Sequence, residues 1–151
     1  MKLCVAGTGY VGLVAGTCLA EMGNTVVCID KDKEKLKKLE KGIIPIYEPG
    51  LDSLIIDNTK KKRLSFSDDL DKAVKASEVC FIAVGTPPKS DGSADLSAVF
   101  DVAKNIAKSM NKYTVIVNKS TVPVGTCELI AKVVQENTNQ EVLVSLINCS
   151  Q

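Results

Sequence analysis

Val5-Ala6-Gly7-Thr8-Gly9-Tyr10-Val11-Gly12 stands near the start of the chain. It grows out of a short apolar run, Leu3-Cys4-Val5-Ala6, which has no breaker in it and reads as a strand. It opens a segment with apolar residues at helical spacing: Val11, Val14, Cys18, Leu19 and Met22. A second apolar run, Thr25-Val26-Val27-Cys28-Ile29, ends in Asp30. Strand, glycine turn, helix, strand, acid is the order of a dinucleotide-binding unit. Gly7 permits a tight turn. Gly9 lets the backbone approach a pyrophosphate, which then sits on free N–H groups at the positive end of the helix. Gly12 lets the helix pack close to the strand. Asp30, at the tip of the second strand, can accept hydrogen bonds from an adenosine ribose. Its charge repels a 2′-phosphate, so NAD is favoured over NADP. A merely structural glycine turn is the competing reading, and the agreement of strand, helix and acid weighs against it. Lys31 could partly accept a phosphate, but it reads more simply as the solvated start of a charged helix.

The 151 residues suit one domain with a proper core and are too few for two typical ones. A charged fraction of 25% is ordinary for a globular protein, and a net charge of +1 argues against broad affinity for nucleic acid. Lys60-Lys61-Lys62-Arg63, the one dense basic run, has no aromatic residues interleaved and reads as a solvated helix end. No apolar stretch reaches membrane-spanning length, and the N-terminus lacks a signal-peptide layout. None of the six cysteines forms a CxxC pair. Cys4, Cys18, Cys28 and Cys80 read as small core residues in a reducing, cytoplasmic setting, and no metal site is expected. There is no histidine, which removes the commonest general base and the commonest metal ligand.

Strand and helix patterns alternate nearly to the end. Lys31 to Lys41 reads as a lysine-rich helix with Leu36 and Leu39 inward, stopped by Gly42. A two-proline loop follows, then a helix from Leu51 to about Lys60 carrying Leu51, Leu54 and Ile55. Leu64 to Ser67 reads as a short strand, and Asp68 or Asp69 as the cap of a helix through Val74. Val79 to Val84 is a fully apolar strand, as expected inside a parallel sheet. After the turn-rich loop Gly85 to Ala94, Asp95 is the expected N-cap of a helix carrying Leu96, Val99, Phe100, Ala103, Ile106 and Ala107. Thr114 to Val117 is the next strand, Ser120 to Thr126 a structured loop, and Leu129, Ile130, Val133 and Val134 the inward face of a following helix. Glu141 to Ile147 is a last candidate strand. The fold class is therefore α/β: a single domain with a Rossmann-like doubly wound parallel sheet and right-handed crossovers. In such sheets ligands bind beyond the carboxyl ends of the strands. That places Gly7 to Gly12, Asp30, Gly85 to Pro87 and Lys119 to Pro123 along one edge.

Five motifs then resemble one family. Gly7-Thr8-Gly9-Tyr10-Val11-Gly12-Leu13, Pro45-Ile46-Tyr47-Glu48-Pro49-Gly50-Leu51, Val84-Gly85-Thr86-Pro87, Asp91-Gly92-Ser93-Ala94-Asp95-Leu96 and Lys119-Ser120-Thr121-Val122-Pro123-Val124-Gly125-Thr126 are similar to the N-terminal domain of the UDP-glucose 6-dehydrogenases. The wider group is the UDP-glucose/GDP-mannose dehydrogenases. The resemblance runs from Met1 to about Val144. It implies an NAD-dependent, two-step oxidation of a sugar C6 alcohol to a carboxylate, UDP-glucose to UDP-glucuronate with two NAD. It implies that Gly7, Gly9, Tyr10, Val11 and Gly12 hold the pyrophosphate and that Asp30, helped by Lys35, holds the adenosine ribose. Gly85, Thr86 and Pro87 would meet the cofactor from the loop after the Val79 strand. Ser120 and Thr121 would lie near the nicotinamide, with Thr121 placed to hydrogen-bond a water or the substrate oxygen; ordinary loop capping is its alternative role. Glu48, flanked by prolines, reads as part of a shaped structural turn.

The family's covalent nucleophile is a cysteine in a glycine-rich motif of its second half. No such motif occurs here, and Cys127 reads as part of a helix turn that offers it no activating partner. The domain expectation is thus an NAD-binding unit over residues 1–147 with an atypical tail over 148–151. The central helix and the sugar-nucleotide-binding domain are missing, so UDP-glucose becomes a partner only if that domain is supplied. Family-like text stops at Ser145, which suggests a truncated or frame-shifted product. Such a unit should bind NAD without turnover. A non-catalytic NAD(H) sensor or scaffold is the alternative, and a domain of the hydroxyacid or 6-phosphogluconate dehydrogenase type a weaker one. An opened face near Ser120, with Leu146 and Ile147, is expected to favour self-association.

Overall fold

The computed structural model describes residues 1–138 and the backbone of 146–148. Among the described residues, six strands form one sheet: β1 (Lys2–Ala6), β2 (Thr25–Ile29), β3 (Leu64–Ser67), β4 (Val79–Ile82), β5 (Val115–Asn118) and β6 (Leu146–Asn148). Every neighbouring pair is parallel, and the order across the sheet is β3-β2-β1-β4-β5-β6. The chain walks outward from β1 to β3, then returns to lay β4 on the other side of β1. That reversal opens a crevice at the carboxyl ends of β1 and β4.

Side chains of a strand alternate between its two faces. In β1, Leu3 and Val5 therefore enter one core while Cys4 and Ala6 enter the other. The first core is closed by α1 (Tyr10–Glu21), α2 (Lys33–Glu40) and α3 (Leu51–Lys60), through Leu13, Leu36, Leu39, Leu51 and Ile55. The second is closed by α4 (Leu70–Ala76), α5 (Ser97–Ser109) and α6 (Thr126–Asn137), through Val74, Val102, Ile106, Ile130 and Val134. This is the doubly wound α/β sheet expected from the sequence.

The face that α1 buries differs from the expected one. Gly12, Leu13, Gly16, Thr17 and Ala20 face inward, whereas Val11 and Met22 are exposed and Cys18 faces solvent. The cause is distance. A Cβ on Gly12 would lie 2.0 Å from the Gly7 carbonyl oxygen, and one on Gly16 would lie 2.6 Å from Cys28 Sγ. The helix sits so close to β1 and β2 that small residues occupy the contact, and the larger ones are turned to its flanks. Val14 and Leu19 are partly buried there. Cys18 is thus not a core residue, while Cys4, Cys28 and Cys80 are fully buried. Burial, with Cys4 nearby, pushes the Cys28 thiol up to about 12, which keeps it protonated and inert.

Other departures are local. Leu129 is half exposed at 52%, and Val133 only partly buried, so α6 presents a narrower face than expected. The N-cap of α5 is Leu96 rather than Asp95, although the Asp95 carboxylate accepts the Ser97 N–H at 2.9 Å. Asp69 caps α4 by accepting from the Lys72 N–H, as one of the two expected candidates. Lys60 to Lys62 are exposed where α3 ends, and Lys62 turns the chain with φ +57°. Residues 141–145, the side chains of Leu146 and Ile147, Cys149 and the end of the tail lie outside the described residues. Among the described residues, no helix is long and apolar enough to cross a membrane.

Candidate dinucleotide site

The glycine turn joins β1 to α1 against the end of β4. Gly7 has φ +108°, and a Cβ there would meet the Ala83 carbonyl oxygen at 2.4 Å, so both dihedral and space demand glycine. Gly9 differs: its φ is −70°, open to any residue, and a Cβ would meet nothing within 4 Å. The space in front of Gly9 is open crevice. Gly9 is also the N-cap of α1, where no side chain caps the helix and no acidic residue stands in the first turn. The first N–H groups of a helix lack partners within it, and their end of the dipole is positive. The start of α1 therefore offers donors and positive potential to an anion.

Asp30 follows β2 and closes the side of the crevice next to β1. Its Oδ2 accepts from the Thr8 hydroxyl, from the Thr8 N–H at 3.1 Å and from Lys35 Nζ at 2.9 Å. Its Oδ1 accepts the Asp32 N–H at 3.1 Å. Partial burial works against the charged carboxylate, but the hydrogen bonds from Thr8, Asp32 and Lys35 outweigh it and hold the group at about 2. Asp30 is ionised at neutral pH. Beside it lies a crevice of about 390 Å³, floored by the glycine turn, Val84 and Gly85 and walled by Val102 and Asn105 of α5. Lys31 and Asp68 stand at its rim, where Asp68 pairs with Lys33 at 3.1 Å.

A second hollow of about 210 Å³ lies on the far side of the glycine turn. Gly9, Tyr10 and Val11 form one wall, and Thr86, Ser120 and Thr121 another, with Lys119 beside them. The two loops are fastened together. Ser120 Oγ donates to the Val84 carbonyl at 2.7 Å, and Thr86 Oγ1 donates to the Thr121 carbonyl at 2.8 Å. The Ser120 hydroxyl is thus committed to joining the ends of β4 and β5, while Thr121 is exposed on the hollow.

Most of the residues singled out from sequence therefore meet at this edge: Gly7, Gly9, Asp30, Lys35 and Gly85 on the first hollow, and Tyr10, Val11, Thr86, Ser120 and Thr121 on the second. Gly12 is packed beneath the turn against Gly7. Pro87 lines neither hollow; it is exposed, and its carbonyl accepts the Asp95 N–H at 2.8 Å.

Sequence reasoning missed three contributions. Thr8, fully buried between two glycines, is the main partner of Asp30; a hydroxyl residue inside the turn was the available signal. The wall from α5 has no local signal, because only the crossover brings it there. Glu48 does build a turn, with its carbonyl accepting the Leu51 N–H at 3.1 Å ahead of Gly50 at φ +82°. Its carboxylate also accepts the Tyr10 hydroxyl, a contact across 38 residues. That hydrogen bond, together with the Glu48 charge, raises the Tyr10 phenol above its ordinary range.

Comparison with known proteins identifies this arrangement. Residues 1–150 match the model of the UDP-glucose/GDP-mannose dehydrogenase family, NAD binding domain. The chain is 54% identical over 135 residues to a UDP-glucose 6-dehydrogenase of Bacillus subtilis, which covers 89% of this chain and 29% of that protein. It is 51% identical over 149 residues to the UDP-glucose 6-dehydrogenase of Rhizobium meliloti, covering 98% and 34%. Among solved structures, a UDP-glucose dehydrogenase from Pyrobaculum islandicum superposes with a TM-score of 0.90 at 39% identity, over 97% of this chain and 34% of that one. A GDP-mannose dehydrogenase from Pseudomonas aeruginosa, in a ternary complex, gives 0.91 at 32% identity, over 98% and 35%. The chain spans about a third of the length of the relatives it matches.

Proposed function

The chain belongs to the UDP-glucose/GDP-mannose dehydrogenase family, and on that premise we propose that it binds NAD across the glycine turn as the cofactor-carrying unit of a nucleotide-sugar 6-dehydrogenase. The observation that carries the reading is the pair of hollows meeting at Gly9, with an uncapped helix start between them and an ionised carboxylate at one end. The shape suits a dinucleotide: adenosine in the hollow beside Asp30, pyrophosphate at Gly9, nicotinamide beside Thr86 and Thr121.

In this reading the backbone from Gly7 through Val11 holds the pyrophosphate, and Asp30 and Lys35 take the adenosine ribose. Gly12 keeps α1 close enough to β1 for the turn to form. Thr86 and Ser120 hold the two loops that wall the nicotinamide hollow, and Pro87 shapes the first of them. Thr121 is placed to hydrogen-bond a water or the substrate oxygen. When bound, NAD supplies the hydride acceptor. The substrate proposed is UDP-glucose, oxidised in two steps to UDP-glucuronate, by analogy with the relatives named above.

The described cysteines supply no nucleophile for the second oxidation. Cys127, just past the Ser120–Thr126 loop, is raised above its ordinary range by burial and by Glu128, whereas a nucleophilic thiol is lowered. The unit, proposed as residues 1–147 with 148–151 as a tail, binds cofactor, and its described residues by themselves are proposed not to turn over substrate. Its free cysteines suit a cytoplasmic location. Calorimetric titration with NAD tests the proposal: saturable binding that weakens in Asp30→Ala supports it, and absence of saturable binding to the intact chain overturns it.

A further inference from the structure

The Asp30 carboxylate carries its donors unevenly. Oδ2 receives three, two of them from Thr8, whereas Oδ1 receives one, the Asp32 N–H at 3.1 Å. A carboxylate oxygen offers about two lone-pair sites, so Oδ2 is filled and Oδ1 keeps an open acceptor position. Thr8 itself is fully buried, and it belongs to the turn whose geometry is set by Gly7 at φ +108°. Its N–H is therefore held by the backbone and its hydroxyl by a single stiff torsion of a buried, β-branched side chain, unlike Lys35, whose ammonium sits on a flexible stem.

We propose that Thr8 is the positioning residue for ribose selection, holding Asp30 Oδ2 so that Oδ1 is presented, fixed in direction, to the 2′- and 3′-hydroxyls of the adenosine ribose. This rests on the dinucleotide reading above. A ribose with both hydroxyls free donates to that oxygen. A 2′-phosphate brings negative charge against a carboxylate that Thr8 keeps from rotating away. Thr8 thereby acts on both sides of the choice between NAD and NADP.

The charged surroundings do not supply this by themselves. Lys35 from α2 bonds the same oxygen, Lys31 stands at the rim, and Asp68, ahead of α4, is neutralised by Lys33; the α5 wall contributes Ala98, Val102 and Asn105 and no charge. Without the Thr8 hydroxyl, Asp30 keeps the 3.1 Å bond from the Thr8 N–H and the Lys35 contact. That leaves its carboxylate freer to turn.

The test uses the whole chain with Thr8→Val, which keeps the volume and removes the hydroxyl donor, and Thr8→Ser, which restores it. Calorimetric affinities for NAD and NADP are measured at pH 7, with a carbon-13 titration of the Asp30 carboxyl alongside. One charge-assisted hydrogen bond corresponds to about a tenfold effect. The expected result is a loss of about tenfold for NAD in Thr8→Val, little change for NADP, and recovery of most of the preference in Thr8→Ser. The carboxyl midpoint should rise from about 2 toward the ordinary 3.8 in the valine variant alone. A merely structural role would shift both affinities together and leave the midpoint in place, and that result overturns the proposal. Unchanged NAD affinity in a folded Thr8→Val overturns it while leaving the dinucleotide reading intact. Failure of the unaltered chain to bind NAD overturns both.

Discussion

Two glycines three residues apart should respond in opposite ways to the same methyl group. At Gly12 a Cβ would lie 2.0 Å from the Gly7 carbonyl oxygen, well inside contact distance. The partner is backbone at a turn already constrained to φ +108°, so α1 must move away from β1. Overpacking of this kind costs about 1–3 kcal/mol, and the clash here is severe. Alanine recovers about 1 kcal/mol of helix propensity. With the clash at the upper end of that range, the net expectation for Gly12→Ala is a loss of about 2 kcal/mol, or roughly 4–8 °C in Tm for a domain of this size. At Gly9, φ is −70° and the Cβ position is empty to 4 Å. Reduced freedom of the unfolded chain favours alanine by about 0.4–1 kcal/mol, and its poorer N-cap preference opposes this by a similar amount. Stability of Gly9→Ala should stay within about 0.5 kcal/mol of the parent. The added methyl nevertheless fills the space assigned to the pyrophosphate. Losing one charge-assisted hydrogen bond at about 1.5–3 kcal/mol lowers NAD affinity by about 10- to 160-fold. Thermal unfolding by circular dichroism and calorimetric NAD titration on both variants provide the assay. Gly9→Ala with parental NAD affinity, or Gly12→Ala with parental Tm, would refute the reasoning for that glycine.

Ultraviolet titration of the three tyrosines should show one ionising later than the others, because the Glu48 hydrogen bond and charge favour the protonated Tyr10 phenol. Tyr10→Phe should remove that late component and Glu48→Gln should bring it down; an unchanged high-pH limb in both variants would show that the contact does not form in solution. The buried face of α1 is tested by Leu13→Ala and Met22→Ala. Leu13 is fully buried and should cost about 2–5 kcal/mol by urea unfolding, whereas Met22, 78% exposed, should cost under about 0.5 kcal/mol; equal losses would contradict the orientation of the helix.

The alternation of short apolar runs with amphipathic segments made the doubly wound class legible, because strands buried on both faces read as uninterrupted hydrophobic stretches. Val26-Val27-Cys28-Ile29 and Val79-Cys80-Phe81-Ile82 are such runs, and both are interior strands of the sheet. Much of the candidate site was legible for a related reason. The carboxyl ends of parallel strands lie on one edge, so loops far apart in sequence, such as those at Gly7, Asp30, Gly85 and Thr121, could be placed together without knowing a single distance. The face of α1 was not legible. Hydrophobic periodicity assumes that the largest apolar side chains mark the buried stripe, and here the close approach of helix to sheet gives that stripe to Gly12 and Gly16 and turns Val11 and Met22 outward.

By itself, then, the sequence determined the strand and helix alternation, the glycine turn and the acid that follows the second strand, because each rests on local conformational preference and short-range spacing. Tertiary structure alone decided which atoms each of these glycines meets, and so how severely a methyl group is excluded there, since that depends on other segments: the Gly7 and Ala83 carbonyls, or nothing at all. It also decided that Thr8 grips Asp30 and that Tyr10 meets Glu48. Those pairs are 22 and 38 residues apart, and no periodicity along the chain encodes a contact made only once the sheet has brought its loops together.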